Sequence, residues 1–262
     1  MKARILTIAG SDSSGGAGIQ ADLKVIALLG GHGTSVITAL TAQNTLGIQA
    51  IFPIPVAFID KQLQSILSDI EVDAVKTGML VRADVVSLVA RTLKRFNVPK
   101  LVLDPVMISE SGHPLLEEKA VQTLKDKLFP IAGLITPNLS EASVLTGIPV
   151  RTRTDMKKAA RVIKERTRGN VLIKGGHLSG AAVDLFFDGE TFHEFSSPHI
   201  RNRNTHGTGC TLSAAIATFW GQGLSLIEAL GKAKEFITKA IAGAQPIGHG
   251  RGPTDPYAWI QK

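Results

Sequence analysis

The sequence contains one cysteine, Cys210, and one tyrosine. A single cysteine excludes an internal disulfide or a thiolate metal cluster and leads us to expect a reducing compartment. Aromatic residues are only 5% of the chain, which leaves few rings for stacking nucleic-acid bases. No apolar run approaches the ~20 residues that span a bilayer. The apolar stretch from Ile5 to Ala9 is too short for a secretory segment and meets polar and glycine residues at once. A cytoplasmic protein is therefore expected.

A block of one charge sign is also missing. The formal charge is +7, from 29 basic and 22 acidic side chains. The excess is spread over helical solvent faces, as at Lys157, Lys158, Arg161, Lys164, Arg166 and Arg168. That distribution suits an anionic metabolite better than nucleic acid or a membrane surface, so neither of those partners is expected. Two nucleotide-binding signatures are absent as well. GxxxxGK[ST] does not occur, and GSDSSGGAG lacks the GxGxxG spacing and a ribose-binding acid in the right context.

What the chain does have is 44% hydrophobic residues arranged in alternation. Short apolar runs predict strands at Ile5–Gly10, Thr34–Gln43, Asp73–Gly78, Lys100–Pro105, Leu134–Asn138 and Asn170–Gly176. Between them, apolar residues recurring every three or four predict helices at Ile19–Gly30, Phe58–Ile70, Asp84–Phe96 and about Asp155 to Arg166. Near-continuous apolar strands alternating with helices indicate a parallel sheet covered on both faces. Val183–Ser197, with the turn signal Asp188–Gly189, predicts one antiparallel hairpin and a sheet mixed at one edge. No repeat or composition break divides the chain, so one α/β domain over residues 1–262 is expected.

In such a sheet, ligands bind beyond the carboxyl ends of the strands. Polar and glycine residues collect there: GSDSSGGAG, Gln43, KTGM, DPVM, TPNLSE, KGGH and THGTGC. In the last of these, Gly207 and Gly209 precede a buried helical stretch. Bare backbone N–H groups at a helix N-terminus make an anion hole for a transferred phosphoryl group, although a glycine turn capping a helix is the plainer alternative. Thr208, between the two glycines, is expected on the nucleotide side. Cys210 lies in the first helical turn, where a lowered thiol pKa would suit a base that accepts the proton of an attacking alcohol. An inert buried cysteine is the other reading. Lys174, at a strand end beside two glycines, is expected to neutralise phosphate. Asp104, Asn138 and Glu141 are candidates for organising Mg²⁺, with Glu141 acting directly or through water; Asn138 and Glu141 read equally well as a helix cap. Asp22 is expected to point back from the first helix toward the substrate. Gln43, Met79 and Val106 would line a small flat pocket, with the Gln43 amide able to donate and accept at once.

These segments together, AGSDSSGGAGIQADLK, TALTAQNT, VKTGML, LDPVM, LITPNLSEA, KGGH and THGTGCTLSAAIA, resemble the hydroxymethylpyrimidine and phosphomethylpyrimidine kinases of thiamine synthesis, in the ribokinase superfamily. The resemblance runs from about Ile5 to Pro253. It implies a ribokinase-like three-layer α/β/α fold with a mostly parallel sheet and a minimal lid. It also implies ATP and Mg²⁺ as cofactors, a small pyrimidine substrate and a homodimer. On the matching positions it implies Gly10, Met79 and Val106 around the ring, Asp22 toward the hydroxymethyl group and Gln43 on the ring and its amine. Asn138 and Glu141 would serve Mg²⁺ and phosphate, Lys174 would contact phosphate, and Gly207, Gly209 and Cys210 would form the anion hole and base. The implied reaction phosphorylates 4-amino-5-hydroxymethyl-2-methylpyrimidine and then its monophosphate. Pyridoxal or pyridoxine kinase is the alternative, because it phosphorylates a similar hydroxymethyl group on a flat nitrogen ring. Related sugar kinases carry Asp where Cys210 stands.

Overall fold

The computed structural model describes residues 2–109, 112–176, 178 and 181–261. Its named strands form one nine-stranded sheet in the order β3-β2-β1-β4-β5-β6-β7-β8-β9. The strands are β1 (Arg4–Asp12), β2 (His32–Asn44), β3 (Gly47–Pro53), β4 (Ala74–Thr77), β5 (Leu101–Leu103), β6 (Leu134–Ile135), β7 (Asn170–Ile173), β8 (Ala182–Phe187) and β9 (Phe192–Ser197). From β2 through β1, β4, β5 and β6 to β7, every pairing is parallel. The helices are α1 (Gly18–Leu28), α2 (Val56–Leu67), α3 (Ala83–Arg95), α4 (Glu118–Lys127), α5 (Leu139–Thr146), α6 (Arg153–Lys164), α7 (Thr208–Gly221) and α8 (Leu226–Gly243). Among the described residues, no helix is long and apolar enough to cross a membrane.

Strand periodicity divides the core into two layers, because successive side chains leave opposite faces of the sheet. Leu6, Val75, Leu103, Ile135 and Ile173 pack with α2 to α6, whereas Ile5, Ala74, Val102, Leu134 and Leu172 pack with α1, α7 and α8. The inner strands β4 to β7 are almost entirely buried on both faces for this reason. The result is the three-layer α/β/α arrangement that the resemblance implies.

The sheet is mixed at both edges, which corrects the expectation of one. β8 and β9 form the predicted antiparallel hairpin, and the Asp188 carboxylate accepts the N–H groups of Glu190 and Thr191. At the opposite edge β3 runs antiparallel to β2. That turn is made by the Asn44 side chain accepting the N–H of Leu46, with Gly47 at a φ of 149°. It carries no NG or DG dipeptide, and β3 ends at Pro53, which an edge strand tolerates because no further ladder bond is needed there.

Candidate active site

The polar segments converge beyond the carboxyl ends of β1, β2, β4, β5, β6 and β7, around the start of α7. Gly207 caps that helix in the left-handed region, with φ 79°. A side-chain carbon there would collide with the carbonyl of Gly16, so glycine is what lets the α7 entry and the loop after β1 touch. Gly209 and Cys210 occupy the first turn, whose N–H groups have no partner within the helix. The half-buried Thr208 donates its hydroxyl to the Thr205 carbonyl at 2.6 Å.

Two charged side chains reach this turn from neighbouring strand ends, and a third, from α5, stands behind them. Lys174, just past β7, donates to Asp104 at 2.8 Å and stands 4.0 Å from Glu141. A carbon added to Gly209 would sit 3.3 Å from the Lys174 Nζ and 3.8 Å from Asp104. The helix start, the ammonium and the carboxylate therefore share one small space. Ser213, one turn into α7, donates to the other Asp104 oxygen at 3.1 Å. Burial favours a neutral Lys174, but Asp104 and Glu141 outweigh it and keep the ammonium protonated above its ordinary range.

Asn138 and Glu141 form a capping box at α5. The Asn138 side chain accepts the Glu141 N–H at 2.9 Å, and Glu141 accepts the Asn138 N–H at 2.8 Å. The helix-cap reading is thus present in the structure, yet the same carboxylate also looks toward Lys174. Burial pushes Glu141 up to about 7, Lys174 draws it down and Asp104 opposes that. Once Glu141 is ionised, two buried carboxylates face one ammonium and leave negative charge in excess, which a cation sharing phosphate oxygens would relieve. The donor set therefore fits Mg²⁺ held by few carboxylates. Among the described residues, no group of three or more His, Cys, Asp or Glu side chains is placed to hold a metal ion without other ligands.

On the substrate side, Gly10 and Met79 lie side by side: a carbon on Gly10 would meet the Met79 sulfur at 3.3 Å. Met79 is buried, Val106 is half-buried just beyond β5, and Gln43 is half-buried at the end of β2. The Gln43 amide is oriented by the Thr41 hydroxyl at 3.1 Å and by the His206 ring at 3.2 Å.

Two expectations are corrected. Asp22 is fully enclosed, at 0% side-chain exposure, and its carboxylate is bound by Lys76 at 2.8 and 3.0 Å and by the Thr7 hydroxyl at 2.5 Å. Those oxygens face the protein interior, so Asp22 does not present them to a ligand. The Cys210 thiol is raised, not lowered. Burial drives it up to about 11, Lys76 pulls it down, and Asp22 and Asp104 push it up. The Cys210 side chain is itself half-buried, and the protein packed around it disfavours the charged form.

Sequence reasoning missed three residues. Lys76 sits inside the quoted KTGM segment, and a lysine ending an apolar strand was the available signal. Asp12 and His206 lie inside GSDSSGGAG and THGTGC. The Asp12 carboxylate binds the His206 ring at 2.8 Å, the Ala17 N–H at 2.9 Å, and the Ser14 N–H and hydroxyl at 2.8 Å each. Burial works against its charge, and these partners hold Asp12 below the ordinary carboxylate range. A late strap completes the frame: Gly252 donates to Asn204, and Gly250 and Arg251 donate to Thr45. His177, the last residue of KGGH, lies outside the described residues.

Known proteins resemble this chain in sequence and in fold. The family model for phosphomethylpyrimidine kinase matches residues 12–255. The chain is 52% identical over 252 residues to the thiamine biosynthesis bifunctional protein ThiED of Geobacter sulfurreducens, covering 96% of this chain and 51% of that protein. It is 46% identical over 259 residues to the hydroxymethylpyrimidine/phosphomethylpyrimidine kinase of Escherichia coli, covering 97% of each. The chain thus spans about half the length of the bifunctional relatives and nearly all of the shorter ones. Among solved structures, the ADP complex of a Bacillus subtilis pyridoxal kinase superposes with a TM-score of 0.93 at 41% identity, over 99% of both chains. A phosphomethylpyrimidine kinase from Clostridium difficile superposes at 0.81 with 43% identity, over 92% of this chain and 100% of that one. With more than nine-tenths of the sequence inside the matched region, the chain belongs to the phosphomethylpyrimidine kinase family.

Proposed function

We propose that this protein transfers the γ-phosphoryl group of ATP to the hydroxymethyl oxygen of 4-amino-5-hydroxymethyl-2-methylpyrimidine, and then phosphorylates the resulting monophosphate. The observation that carries this reading is the convergence of the α7 N-terminus, Lys174 and Asp104 beside Cys210. Phosphoryl transfer is mainly a matter of positioning and of stabilising charge on the equatorial oxygens. The N–H groups of Gly209 and Cys210 would receive those oxygens, and Lys174 would neutralise them. Mg²⁺, when bound, supplies further charge neutralisation, and Asp104 and Glu141 are the residues that would hold it, Glu141 directly or through water. Gly207 holds the loop shape that aims these groups, and Thr208 and Asn138 stand on the nucleotide side.

Cys210 would act as the base. As the substrate oxygen bonds to phosphorus, its proton passes to the sulfur, which must be ionised to accept it. A thiol near 11 is a scarce but strong base at neutral pH, so the step is gated by how often the sulfur is ionised. Gly10, Met79 and Val106 would hold the flat ring, and the remaining donor and acceptor capacity of Gln43 would read the ring nitrogen and amine. Asp22 would act through Lys76 rather than on the substrate. A homodimer is part of the proposal on family grounds.

Pyridoxal phosphorylation is the second reading, favoured by the close superposition on the Bacillus subtilis pyridoxal kinase. Purified protein assayed with ATP and Mg²⁺ against hydroxymethylpyrimidine, its monophosphate, pyridoxal and pyridoxine decides between them. We expect the highest kcat/KM with the two pyrimidines. Turnover of pyridoxal alone would overturn the proposal, and product from the alcohol but none from its monophosphate would remove the second step.

A further inference from the structure

The Gln43 amide has a donor end and an acceptor end that exchange places by a half-turn of the side chain, and the network around it decides which end faces which neighbour. Asp12 starts that network. Its Oδ2 takes the Ala17 N–H at 2.9 Å, and its Oδ1 takes the Ser14 N–H and hydroxyl at 2.8 Å each. A carboxylate already carrying these donors, and held below its ordinary range, is ionised and can only accept. The 2.8 Å contact between Asp12 Oδ2 and His206 Nε2 is therefore donated by the ring, which fixes a proton on Nε2. The nitrogen of the Gln43 amide stands 3.2 Å from that same Nε2, so donor faces donor. Exchanging the amide oxygen and nitrogen, which moves no other atom, turns the contact into a hydrogen bond from His206 to the Gln43 oxygen. Thr41 asks for the same exchange. Its hydroxyl has one hydrogen and faces two acceptors at 3.1 Å, the Ser11 carbonyl and the amide oxygen. With the amide turned, Thr41 donates to Ser11 and accepts an amide N–H.

We infer that Asp12 and His206 are positioning residues that set the order of donor and acceptor on the Gln43 amide. Asp12 keeps the proton on His206 Nε2, and that proton holds the amide oxygen. The amide N–H and oxygen lone pair that remain then meet a ring nitrogen and its amine in one order only. The inference deepens the reading of Gln43 as the ring reader and rests on it. The surroundings hold this arrangement firmly. The His206 and Asp12 side chains are only 14% and 5% exposed. A side-chain carbon on Gly16 would collide with the His206 ring, so the loop after β1 lies directly against it. The late strap fixes the His206 backbone, whose N–H donates to Gly252 at 3.1 Å and whose carbonyl accepts from Thr254 at 3.2 Å. Ser13 ties the Gln43 backbone to the same loop, its hydroxyl lying 2.8 Å from both the Gln43 N–H and carbonyl oxygen.

Imidazole nitrogen NMR of the ligand-free protein near neutral pH reads the proton directly. The chain has seven histidines, and the His206 signals are those lost in His206→Gln, whose amide can still donate to Asp12. We expect a protonated Nε2, and a bare Nε2 overturns the inference. This measurement needs no disruptive substitution of the wild-type protein, so it stands even where a harsher variant does not fold. The second arm is a double-mutant cycle. His206→Leu should raise KM for hydroxymethylpyrimidine about tenfold, the worth of about one hydrogen bond, and by more than it lowers kcat. In the Gln43→Met background no amide remains to orient, and the same change should add less than about twofold. A histidine that only supported the fold would cost the same in both backgrounds, so equal losses overturn the inference. If Gln43→Met by itself leaves KM unchanged, the ring-reading role falls, while the NMR spectrum still judges whether Asp12 fixes the proton.

Discussion

At Cys210 burial and charge act against each other, and burial wins, leaving the thiol near 11. A thiol raised this far is ionised in only a small minority of molecules at neutral pH. A step that needs the ionised sulfur accelerates with alkalinity, because the base must be deprotonated to act. We expect kcat/KM to rise about tenfold per pH unit between about pH 7 and about pH 9; a flat profile over that range removes the thiolate from the mechanism. Cys210→Ala should fold normally by circular dichroism and lose about 10²–10⁴ in kcat, the usual contribution of a positioned base. At the other end of the pocket, Gln43→Met removes one polar edge from the ring reader. It should raise KM for hydroxymethylpyrimidine more than for pyridoxal, and equal losses on both would show that another group reads the ring.

At the scale of elements, two helix starts carry both structure and chemistry. The α5 capping box uses Glu141 to close the helix, and burial and Asp104 lift that same carboxyl to about 7 against the pull of Lys174. A folded-state pKa above the unfolded one favours the protonated form. The stability it brings is complete below about 4.5 and is lost as pH rises through about 7. Glu141→Gln retains an N3 acceptor without charge. Its Tm should match wild type in acid and exceed it by about 2–4 °C above neutrality, while Mg²⁺-dependent turnover falls. A Tm difference independent of pH would contradict the assignment. At α7, Gly207→Ala forces a side chain into left-handed backbone and into the Gly16 carbonyl. It should destabilise by at least about 1 kcal/mol and lower kcat more than it raises KM for the pyrimidine, since it is the anion hole that moves.

For the molecule as a whole, legibility in the sequence followed the reach of the forces involved. The alternation of strands and helices was readable because backbone periodicity is local, and the boundaries of α1, α3, α6 and β1 fall within a few residues of those the pattern predicts. α4 and α8 go beyond the sequence-derived alternation, although the Ser225–Glu228 capping box at α8 is a local signal of its start. The β3 edge was hidden because its turn is built from an Asn side chain and one glycine rather than from a two-residue hairpin signal. In the site, glycine loops and strand-end polar residues were visible as a set. The Asp12–His206–Gln43 chain was not, because its members are far apart in sequence and meet only when β1, β2 and the α7 loop are brought together.

By itself the sequence determined the layer architecture, the strand ends on which the polar residues gather, and the glycine-flanked helix start, because periodicity and backbone freedom are properties of neighbouring residues. Only the tertiary structure decided that Asp22 faces inward onto Lys76, that Cys210 is driven up rather than down, and that Glu141 serves a cap and a charge cluster at once. Those outcomes depend on how much water is excluded and on which distant charges share the space, and neither quantity exists until the chain has folded.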